Sequence, residues 1–460
     1  MILHSASLPD CTTWTSRLSL FWCALAAIVA AAAWLHFHTF INHDVAWVLW
    51  GTREMLNGAV FGRDIIEPNP PLAWYISMPP VRVAGQLDWP IAETFRAYVF
   101  LLALASLGAC HWIMRSRLDA IGATEARLLT LLSAVWLLVF CYRDFGQREH
   151  LAQILILPYL FMAAARMRGG RVLWVAAMAI GICAGLGVAL KPYFLAVPAL
   201  VELTGIALSR RVRFAIRAET VAMGLVIAAY AAAVIVFAPL YLTDVMGAAQ
   251  RIYWSFNVPL TQVLSPIAFP AGAFLCVLAM LPRTGIPPLP AVLSAATCGF
   301  LISYLVQMKG YSYQAFPFVM NSVLALAALL LLMVPLRRTL LFAAGTVALV
   351  AVVAGGLVHT RDWWMAGRKG SGHAAEMSQA LVDTINAHAA GGGFLAISTH
   401  PSPGFPAALG VEADWTSRTN SQWFLPAVAQ LREGTRAADP ATLAFAERQA
   451  RAFILHDLAA

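Results

Sequence analysis

Charged residues are scarce in this chain of 460 residues. Asp, Glu, Lys and Arg together make up 12% of it, about half of the roughly 25% found in soluble globular proteins. Hydrophobic residues make up 60% and fall into long apolar segments. This balance excludes an ordinary soluble domain and indicates a protein that crosses a membrane several times.

Two further absences narrow the class of protein. The net charge is +8, but the basic residues form short clusters between apolar segments. No Lys/Arg-rich stretch with interleaved aromatic residues occurs, so a nucleic-acid partner is not expected. The seven cysteines include no CxxC pair, and most lie within apolar segments. We expect them to pack as small apolar side chains and not to form disulfides or bind zinc.

Apolar segments of about 20 residues can cross a bilayer as helices. The N-terminus lacks the features of a cleavable signal, so its first apolar segment is interpreted as a span. The predicted fold is an all-α polytopic membrane protein with about eleven transmembrane helices. The predicted spans are 18–40, 95–114, 127–142, 150–165, 172–190, 192–209, 219–239, 263–281, 290–308, 315–335 and 339–357.

The distribution of Lys and Arg predicts the orientation of these spans. Almost half of the 31 Lys and Arg residues lie at Arg17 or in the short loops on one side. Cytoplasmic loops are enriched in these residues, which places the N-terminus in the cytoplasm and the C-terminus outside. The predicted location is therefore the inner membrane of a bacterium, with a long first periplasmic loop at 41–94.

Two domains are predicted. Residues 1–357 form the transmembrane module, and residues 358–460 form a small periplasmic α/β domain. In that tail, "EMSQALVDTINAHAA" has the pattern of an amphipathic helix and "FLAIS" that of a buried strand. "PATLAFAERQARAFIL" is interpreted as a helix running into a final strand.

Acidic residues before the tail gather on the predicted outer side. Within the spans only Glu202 is acidic, whereas proton-coupled transporters usually keep ionisable residues at membrane depth. The distribution predicts a site at the outer membrane surface. The outer acidic residues are Asp44, Glu54, Asp64, Glu67, Asp88, Glu93, Asp144, Glu149 and Asp244.

Asp44 opens the stretch "DVAWVLWGTREMLNG", which directly follows the first span. Its apolar residues have the spacing of an amphipathic helix lying in the membrane interface, with Gly58 at its end. Asp44 could act chemically at the depth of the lipid headgroups. It could also serve as the N-cap of this helix, and the two roles are compatible.

Two other outer loops carry candidate residues. In "GRDIIEPNPPLAWY", Glu67 precedes a proline pair that breaks any helix, and Pro71 suits the first turn of a new one. The alternative is a rigid turn with an aromatic interface anchor. In "YRDFGQREH", Asp144 and Glu149 occur together with Arg143, Arg148 and His150, and the alternative is an ordinary charged loop that caps the next helix.

Lys191 and Lys309 are lone cations at the predicted outer ends of spans. A lysine in this position commonly extends its ammonium group to the membrane surface. Such a cation could also contact a phosphate group.

The order of these features resembles the GT-C type glycosyltransferases. An Asp follows the first span, a long loop ends in E-x-N-P-P-L-x-x-Y, and an acidic second loop follows. The chain is most similar to the group of protein O-mannosyltransferases, aminoarabinose transferases and lipopolysaccharide-core transferases. "ALKPYF" and "KGYSYQAFPFV" resemble that group's Lys-Pro turn and its basic-aromatic stretch. The resemblance covers about residues 15–335.

The resemblance implies roles for individual residues. Asp44 matches the catalytic acid of the first loop, Glu67 the acid before the proline pair, and Glu149 or Asp144 the acid of the second loop. Asn69 stands where many members have Lys. Glu67 and Glu149 could hold a divalent cation or orient the acceptor, and the metal requirement stays open. The residues expected near the donor phosphate are Lys191, Lys309, Arg148, Tyr311 and Tyr313.

The implied activity is inverting transfer of a sugar from a polyprenyl-phosphate donor at the periplasmic face. The acceptor would be a glycan or lipid of the cell envelope, with a protein as the second choice. Two alternatives remain from the sequence: a transporter or flippase of lipid-linked glycans, and a non-catalytic envelope assembly protein.

Overall fold

A computed structural model of the chain describes residues 11–118, 121–282, 285–332, 340–370, 373–434 and 439–459. Helices form the transmembrane part from α1 to α15. They are α1 (Cys11–Phe37), α2 (His43–Leu56), α3 (Leu72–Leu87), α4 (Ile91–Arg117), α5 (Ala123–Leu138), α6 (Arg148–Met167), α7 (Trp174–Ala189), α8 (Ala196–Ser209), α9 (Ala218–Phe237), α10 (Met246–Ile252), α11 (Leu260–Leu264), α12 (Ala268–Met280), α13 (Pro288–Gln307), α14 (Ser312–Leu332) and α15 (Leu340–Gly367).

The predicted all-α polytopic fold is confirmed. Within the described residues, nine helical segments are long and apolar enough to cross a membrane, and each overlaps a predicted span. The predicted spans 127–142 and 172–190 are helices α5 and α7, which have 16 residues each. Sixteen residues extend about 24 Å, less than the roughly 30 Å of bilayer hydrocarbon. Residues 333–339 lie outside the described residues. They include the end of the predicted span 315–335, the start of the predicted span 339–357 and the loop between the two.

Helix α6 forms the centre of the bundle. Every residue from Arg148 to Ala165 is buried, and the helix packs against α4, α7, α13 and α14. Close packing is possible because small residues meet across these contacts. A Cβ atom at Gly187 of α7 would lie 2.9–3.1 Å from atoms of α6. The N-terminal end of α6 is therefore held rigidly, and its first turn carries Arg148 and Glu149.

The predicted amphipathic helix after the first span is α2, and it ends before Gly58, which has a φ of +106°. The suggestion that Asp44 caps this helix is wrong. Asn42 is the N-cap, and its side chain accepts a hydrogen bond from the backbone N–H of Asp44 at 2.8 Å. The Asp44 side chain therefore has no capping role. Helix α3 begins directly after Pro71, as the proline pattern suggested.

The tail contains α16 (His373–Ala389), β1 (Gly393–Phe394), α17 (Gly404–Ala407), β2 (Asp414–Trp415), α18 (Leu425–Arg432) and α19 (Pro440–Ala459). The two short strands pair in parallel, and α16 is the predicted amphipathic helix. The predicted domain boundary at 358 falls inside α15. The predicted final strand is wrong, because α19 stays helical to Ala459. Ala446, Ala450 and Asp457 are buried on one face of α19, at helical spacing.

The tail packs on loop 41–94. Phe405 is fully buried, with its ring centroid 5.4 Å from that of Trp47 and 6.2 Å from that of Trp50. The backbone N–H of Ile66 donates to the carbonyl of Arg418 at 2.7 Å. The tail and loop 41–94 therefore lie at the same end of the bundle.

Candidate active site

A polar cavity of about 280 Å³ lies where the loops predicted to be outside the membrane meet the tail. Its wall combines the start of α2, the loop before α3, the α5–α6 turn, the start of α14 and two tail segments. Of the residues expected from the sequence to form a site, six line this cavity. They are Asp44, Glu67, Asp144, Arg148, Tyr311 and Tyr313.

Asp44 projects from the first turn of α2 and has few partners. Gln147 Nε2 donates to its Oδ2 at the long distance of 3.5 Å, and His43 Nε2 lies 3.7 Å from its Oδ1. About a quarter of the Asp44 side chain (23%) is exposed. Asp44 is thus a carboxylate on a rigid helix end that keeps acceptor capacity toward the cavity.

Glu67 is firmly held at the wall of the cavity. Trp47 Nε1 donates to its Oε2 at 3.1 Å. The backbone N–H and the side-chain amide of Asn69 both donate to its Oε1. Arg148 Nη1 lies 3.7 Å from the same oxygen. Asn69, at the position where the resembling family often has Lys, therefore orients Glu67.

Asp144 is buried in the turn between α5 and α6. Burial raises its pKa to about 7; the positive charge of Arg143 opposes this shift, and the negative charges of Glu149 and Asp44 add to it. Asp144 therefore exchanges its proton close to neutral pH beside Asp44. A carboxyl group that titrates near neutral pH is suited to acid–base chemistry.

Glu149 and Lys191 do not line the cavity. They form a buried ion pair beneath it, with Lys191 Nζ 2.6 Å from Glu149 Oε1 and 3.1 Å from Gln307 Oε1. Asp44, Glu67 and Asp144 thus line one cavity, while Glu149, the residue expected first as the acid of the second loop, lies one layer deeper. Burial lowers the pKa of Lys191, which the Glu149 charge opposes.

Lys309 also lies outside the cavity wall. Its ammonium group is 3.6 Å from the ring centroid of Tyr253 and 5.2 Å from that of Phe256. Burial, together with the positive charge of Lys191, lowers the pKa of Lys309 to about 7. The lysine supports the aromatic side of the cavity, since Tyr253 and Phe256 are wall residues.

The geometry does not fit a divalent cation at Glu67 and Glu149. Each carboxylate already faces a cationic side chain within 4 Å, Arg148 and Lys191 respectively. Among the described residues, no group of three or more His, Cys, Asp or Glu side chains has the arrangement of a metal site.

Several wall residues were not expected from the sequence. His43 and Gln147 flank expected residues, and Tyr253 comes from a loop that carried no motif. The tail adds His400, whose ring centroid is 4.6 Å from that of His43. The other tail residues at the wall are Thr399, Pro401, Asn420, Ser421 and Trp423. The polar run "TSRTNSQW" was the one available signal, and it lies more than 300 residues from Asp44.

A larger, mainly apolar cavity of about 950 Å³ adjoins the polar one. Its walls come from α5, α14 and α15, and include Trp136, Phe316 and Val352. The two cavities share Asn42, His43, Arg143, Asp144 and Ser312 as lining residues. An apolar channel within the bundle therefore opens beside the carboxylates, with Arg143 at the junction.

The sequence matches no protein-family model and no curated protein. Among solved structures, the chain is similar to the oligosaccharyltransferase of Archaeoglobus fulgidus, crystallised with a tethered acceptor peptide. The identity is 12% and the TM-score 0.44, over 80% of this chain and 57% of the archaeal protein. The chain thus spans less than two thirds of that protein's length.

Proposed function

We propose that this chain is an inverting membrane glycosyltransferase of the GT-C type. It transfers a sugar from a polyprenyl-phosphate donor to a hydroxyl group of an envelope glycan or lipid. The observation that carries the proposal is the polar cavity itself. In it, the incompletely paired carboxylate of Asp44 lies at the end of a membrane bundle, beside an apolar channel.

Asp44 is the proposed general base. The acceptor oxygen forms a bond to the anomeric carbon of the donor sugar while its proton passes to a carboxylate oxygen of Asp44. The bond from the anomeric carbon to the phosphate oxygen breaks, and its electron pair leaves with the lipid phosphate. A single displacement inverts the anomeric configuration. A positioned base contributes about 10²–10⁴-fold to such a reaction.

The leaving phosphate gains negative charge and needs fixed positive groups nearby. Among the described residues that line the polar cavity, the arginines are Arg143 and Arg148. Tyr311 and Tyr313 also line it. Lys191 and Lys309 act indirectly in this proposal. Lys191 holds Glu149, and Lys309 holds the aromatic wall.

The prenyl chain of the donor is assigned to the apolar channel. Arg143 and Asp144 line both cavities, so a lipid in the channel would present its phosphate to the polar cavity. The apolar channel has a volume of about 950 Å³, which is room for several isoprene units. Its lining is mainly hydrophobic, as is usual for sites that bind lipids and other ligands.

No observation favours the transporter alternative. Glu202, the acid within a predicted span, accepts hydrogen bonds from Tyr159 and Arg217, both at 2.6 Å. The pairing of Glu202 with a guanidinium group indicates a structural role for this carboxylate. The assembly-protein alternative predicts that substitution of Asp44 leaves function intact, which the following assay tests.

The test is transfer by the purified protein in lipid nanodiscs. A panel of radiolabelled polyprenyl-phosphate sugars is incubated with envelope extract, and label in the acceptor fraction is counted. We expect transfer from one donor class, with release of polyprenyl phosphate and inverted linkage. Absence of transfer from every donor by a folded protein, with unchanged donors, would refute the proposal.

The proposed periplasmic location of the cavity has a separate test. Alkaline phosphatase fused after Ala459 should be active in cells, because the tail and the cavity lie at the same end of the bundle. An inactive phosphatase with an active cytoplasmic reporter at the same point would place the site on the wrong side of the membrane for an outer-face donor.

A further inference from the structure

A second cavity of about 590 Å³ lies at the same end of the bundle as the polar cavity. Three arginines line it, and each comes from a different part of the chain. Arg63 belongs to the first outer loop, Arg251 to α10 and Arg418 to the tail. Convergence of positive charge from segments this far apart requires the tail to be folded onto the loops.

Aromatic rings hold two of these guanidinium groups in place. The Arg251 guanidinium lies 4.8 Å from the ring centroid of Phe445, and that of Arg418 lies 4.9 Å from the ring centroid of Phe453. Both phenylalanines belong to α19 and line the cavity. Stacking on an aromatic face fixes a guanidinium while leaving its N–H groups free to bind a ligand.

The acidic neighbours of the cavity leave Arg251 unpaired. Asp64 pairs with Arg63 at 2.9 Å, and Asp457 lies 3.9 Å from Arg418. Asp244 also lines the cavity and accepts a hydrogen bond from Thr243. Arg251 forms no ion pair with any residue in the described part of the chain. The cavity therefore retains capacity for an anionic group.

The wall between the two cavities carries unused hydrogen-bond donors. Trp423 lines both cavities. Its indole Nε1 and the Nε of Arg418 are buried, and neither has a hydrogen-bond partner among the described residues. Arg418 Nε faces Asp457 Oδ1 at 3.9 Å, whereas Trp423 Nε1 has no such neighbour within the described chain. Buried donors are normally satisfied, so the Trp423 indole indicates a ligand with an acceptor oxygen.

We propose that this arginine-lined cavity binds the acceptor, and that the acceptor is an anionic saccharide carrying a phosphate or carboxylate group. The assignment deepens the proposed function and rests on it. Guanidinium groups bind such anions through paired hydrogen bonds, while Phe445, Phe453 and Trp423 offer flat apolar faces to a sugar ring. The donor lipid occupies the apolar channel on the other side of the polar cavity. The acceptor hydroxyl then reaches Asp44 past Trp423.

Binding is measured first, without any transfer reaction. Purified protein in zwitterionic nanodiscs is titrated with glucose 6-phosphate, glucose and inorganic phosphate. We expect glucose 6-phosphate to bind at least tenfold more tightly than glucose or inorganic phosphate. Arg251→Gln should weaken its binding about tenfold or more, since one charge-assisted contact is lost. The matched control is Arg448→Gln, an exposed arginine of α19 that does not line the cavity, and it should bind like the parent.

Equal binding of glucose and glucose 6-phosphate, or parental binding by Arg251→Gln, would overturn the proposal. So would a lipid-headgroup site, which would appear as loss of glucose 6-phosphate binding when phosphatidylglycerol replaces the zwitterionic lipid. Retained binding in phosphatidylglycerol nanodiscs supports a saccharide ligand.

A kinetic arm separates this proposal from the glycosyltransferase assignment. With a phosphorylated acceptor, Arg251→Gln should raise the acceptor KM about tenfold and leave kcat and the donor KM unchanged. An unchanged acceptor KM would overturn the acceptor role. If no donor supports transfer, the glycosyltransferase assignment fails while Arg251-dependent binding of glucose 6-phosphate still establishes an anionic saccharide site.

Discussion

The two ends of the helical bundle both bury carboxylates, yet they pair them differently. At the end opposite the tail, Glu219 accepts from both Arg166 and Arg217 at 2.9–3.1 Å, and Glu202 accepts from Arg217 at 2.6 Å. At the tail end, the contacts of Asp44 are no shorter than 3.5 Å, and its side chain faces a cavity. Buried carboxylates occur at both ends, while at the tail end the partly exposed Asp44 faces a cavity.

This difference distinguishes carboxylates that stabilise the fold from a carboxylate that can take part in a reaction. A carboxylate held by two guanidinium groups cannot take a proton from a substrate without breaking those bonds, and its removal leaves arginines uncompensated. A carboxylate with long, weak contacts at a cavity can accept a proton at little cost. We therefore expect substitutions at the two ends to have opposite consequences for stability and turnover.

The largest expected effect is on turnover at Asp44. Asp44→Asn keeps the size of the side chain and removes the proton acceptor, so the transfer rate should fall about 10²–10⁴-fold while thermal stability stays close to parental. The rate is measured as single-turnover transfer from the donor found in the nanodisc assay.

Asp88→Asn is the matched control for Asp44→Asn. Asp88 lies in the same loop, outside the cavity wall, and has a φ of 51°, a conformation that Asn adopts readily. The control should transfer at the parental rate. Parental turnover in Asp44→Asn would show that the cavity does not use Asp44 as its base.

The opposite end should lose stability and keep its turnover. Glu219→Gln leaves Arg166 without its carboxylate partner and weakens the pairing of Arg217, so unfolding should become easier by about 3 kcal/mol. Transfer per folded molecule should not change. Glu376→Gln, at an exposed position of α16, serves as control. A turnover defect at parental stability would mean that the opposite end takes part in the chemistry.

Asp144 provides a pH-dependent comparison within the cavity. Its pKa is about 7 in the folded chain and about 4 in an unfolded one, so protonation favours the folded state. The stabilisation is complete below pH 4 and is lost as the pH rises through 7. Asp144→Asn imitates the protonated form and should lack this loss, which is on the order of a few kcal/mol.

The measurement is thermal unfolding of Asp144→Asn and the parent at pH 5 and pH 8. The variant should gain stability relative to the parent on going from pH 5 to pH 8. A constant difference between the two proteins at both pH values would show that Asp144 does not titrate in this range.

Local patterns were sufficient for most of the helices and for six of the residues that line the polar cavity. Apolar segments identified the spans, and the prolines before Leu72 marked the start of α3. Asp44, Glu67 and Asp144 could be found because each directly adjoins a span or a proline turn. Local composition also misled: the apolar end of "ARAFIL" suggested a strand, whereas the buried face of α19 requires a helix.

Long-range packing explains what the sequence did not predict. The resemblance matched Glu149 before Asp144 to the acid of the second loop, but Lys191, from a different turn, pairs with Glu149 and leaves Asp144 at the cavity. The tail was predicted to form a small domain, and no local pattern indicated that Phe405 packs on Trp47 and that His400 reaches the cavity. Such contacts join positions more than 300 residues apart and leave no local pattern.

The smallest expected effect separates capping from chemistry at the start of α2. Asn42 accepts the hydrogen bond that Asp44 N–H donates, so Asn42→Ala should lower stability by about 1 kcal/mol, and Asn42→Ser, which can still cap, should lose only a few tenths. If capping were the function of Asp44, Asp44→Ala would show the same deficit and Asp44→Asn none. If Asp44 is the general base, both Asp44 variants should be inactive in transfer, and Asn42→Ser should transfer at close to the parental rate. Thermal unfolding and single-turnover transfer, measured on all four variants, decide between the two. A stability loss at Asp44→Ala as large as that at Asn42→Ala, with normal transfer by Asp44→Asn, would return Asp44 to a structural role.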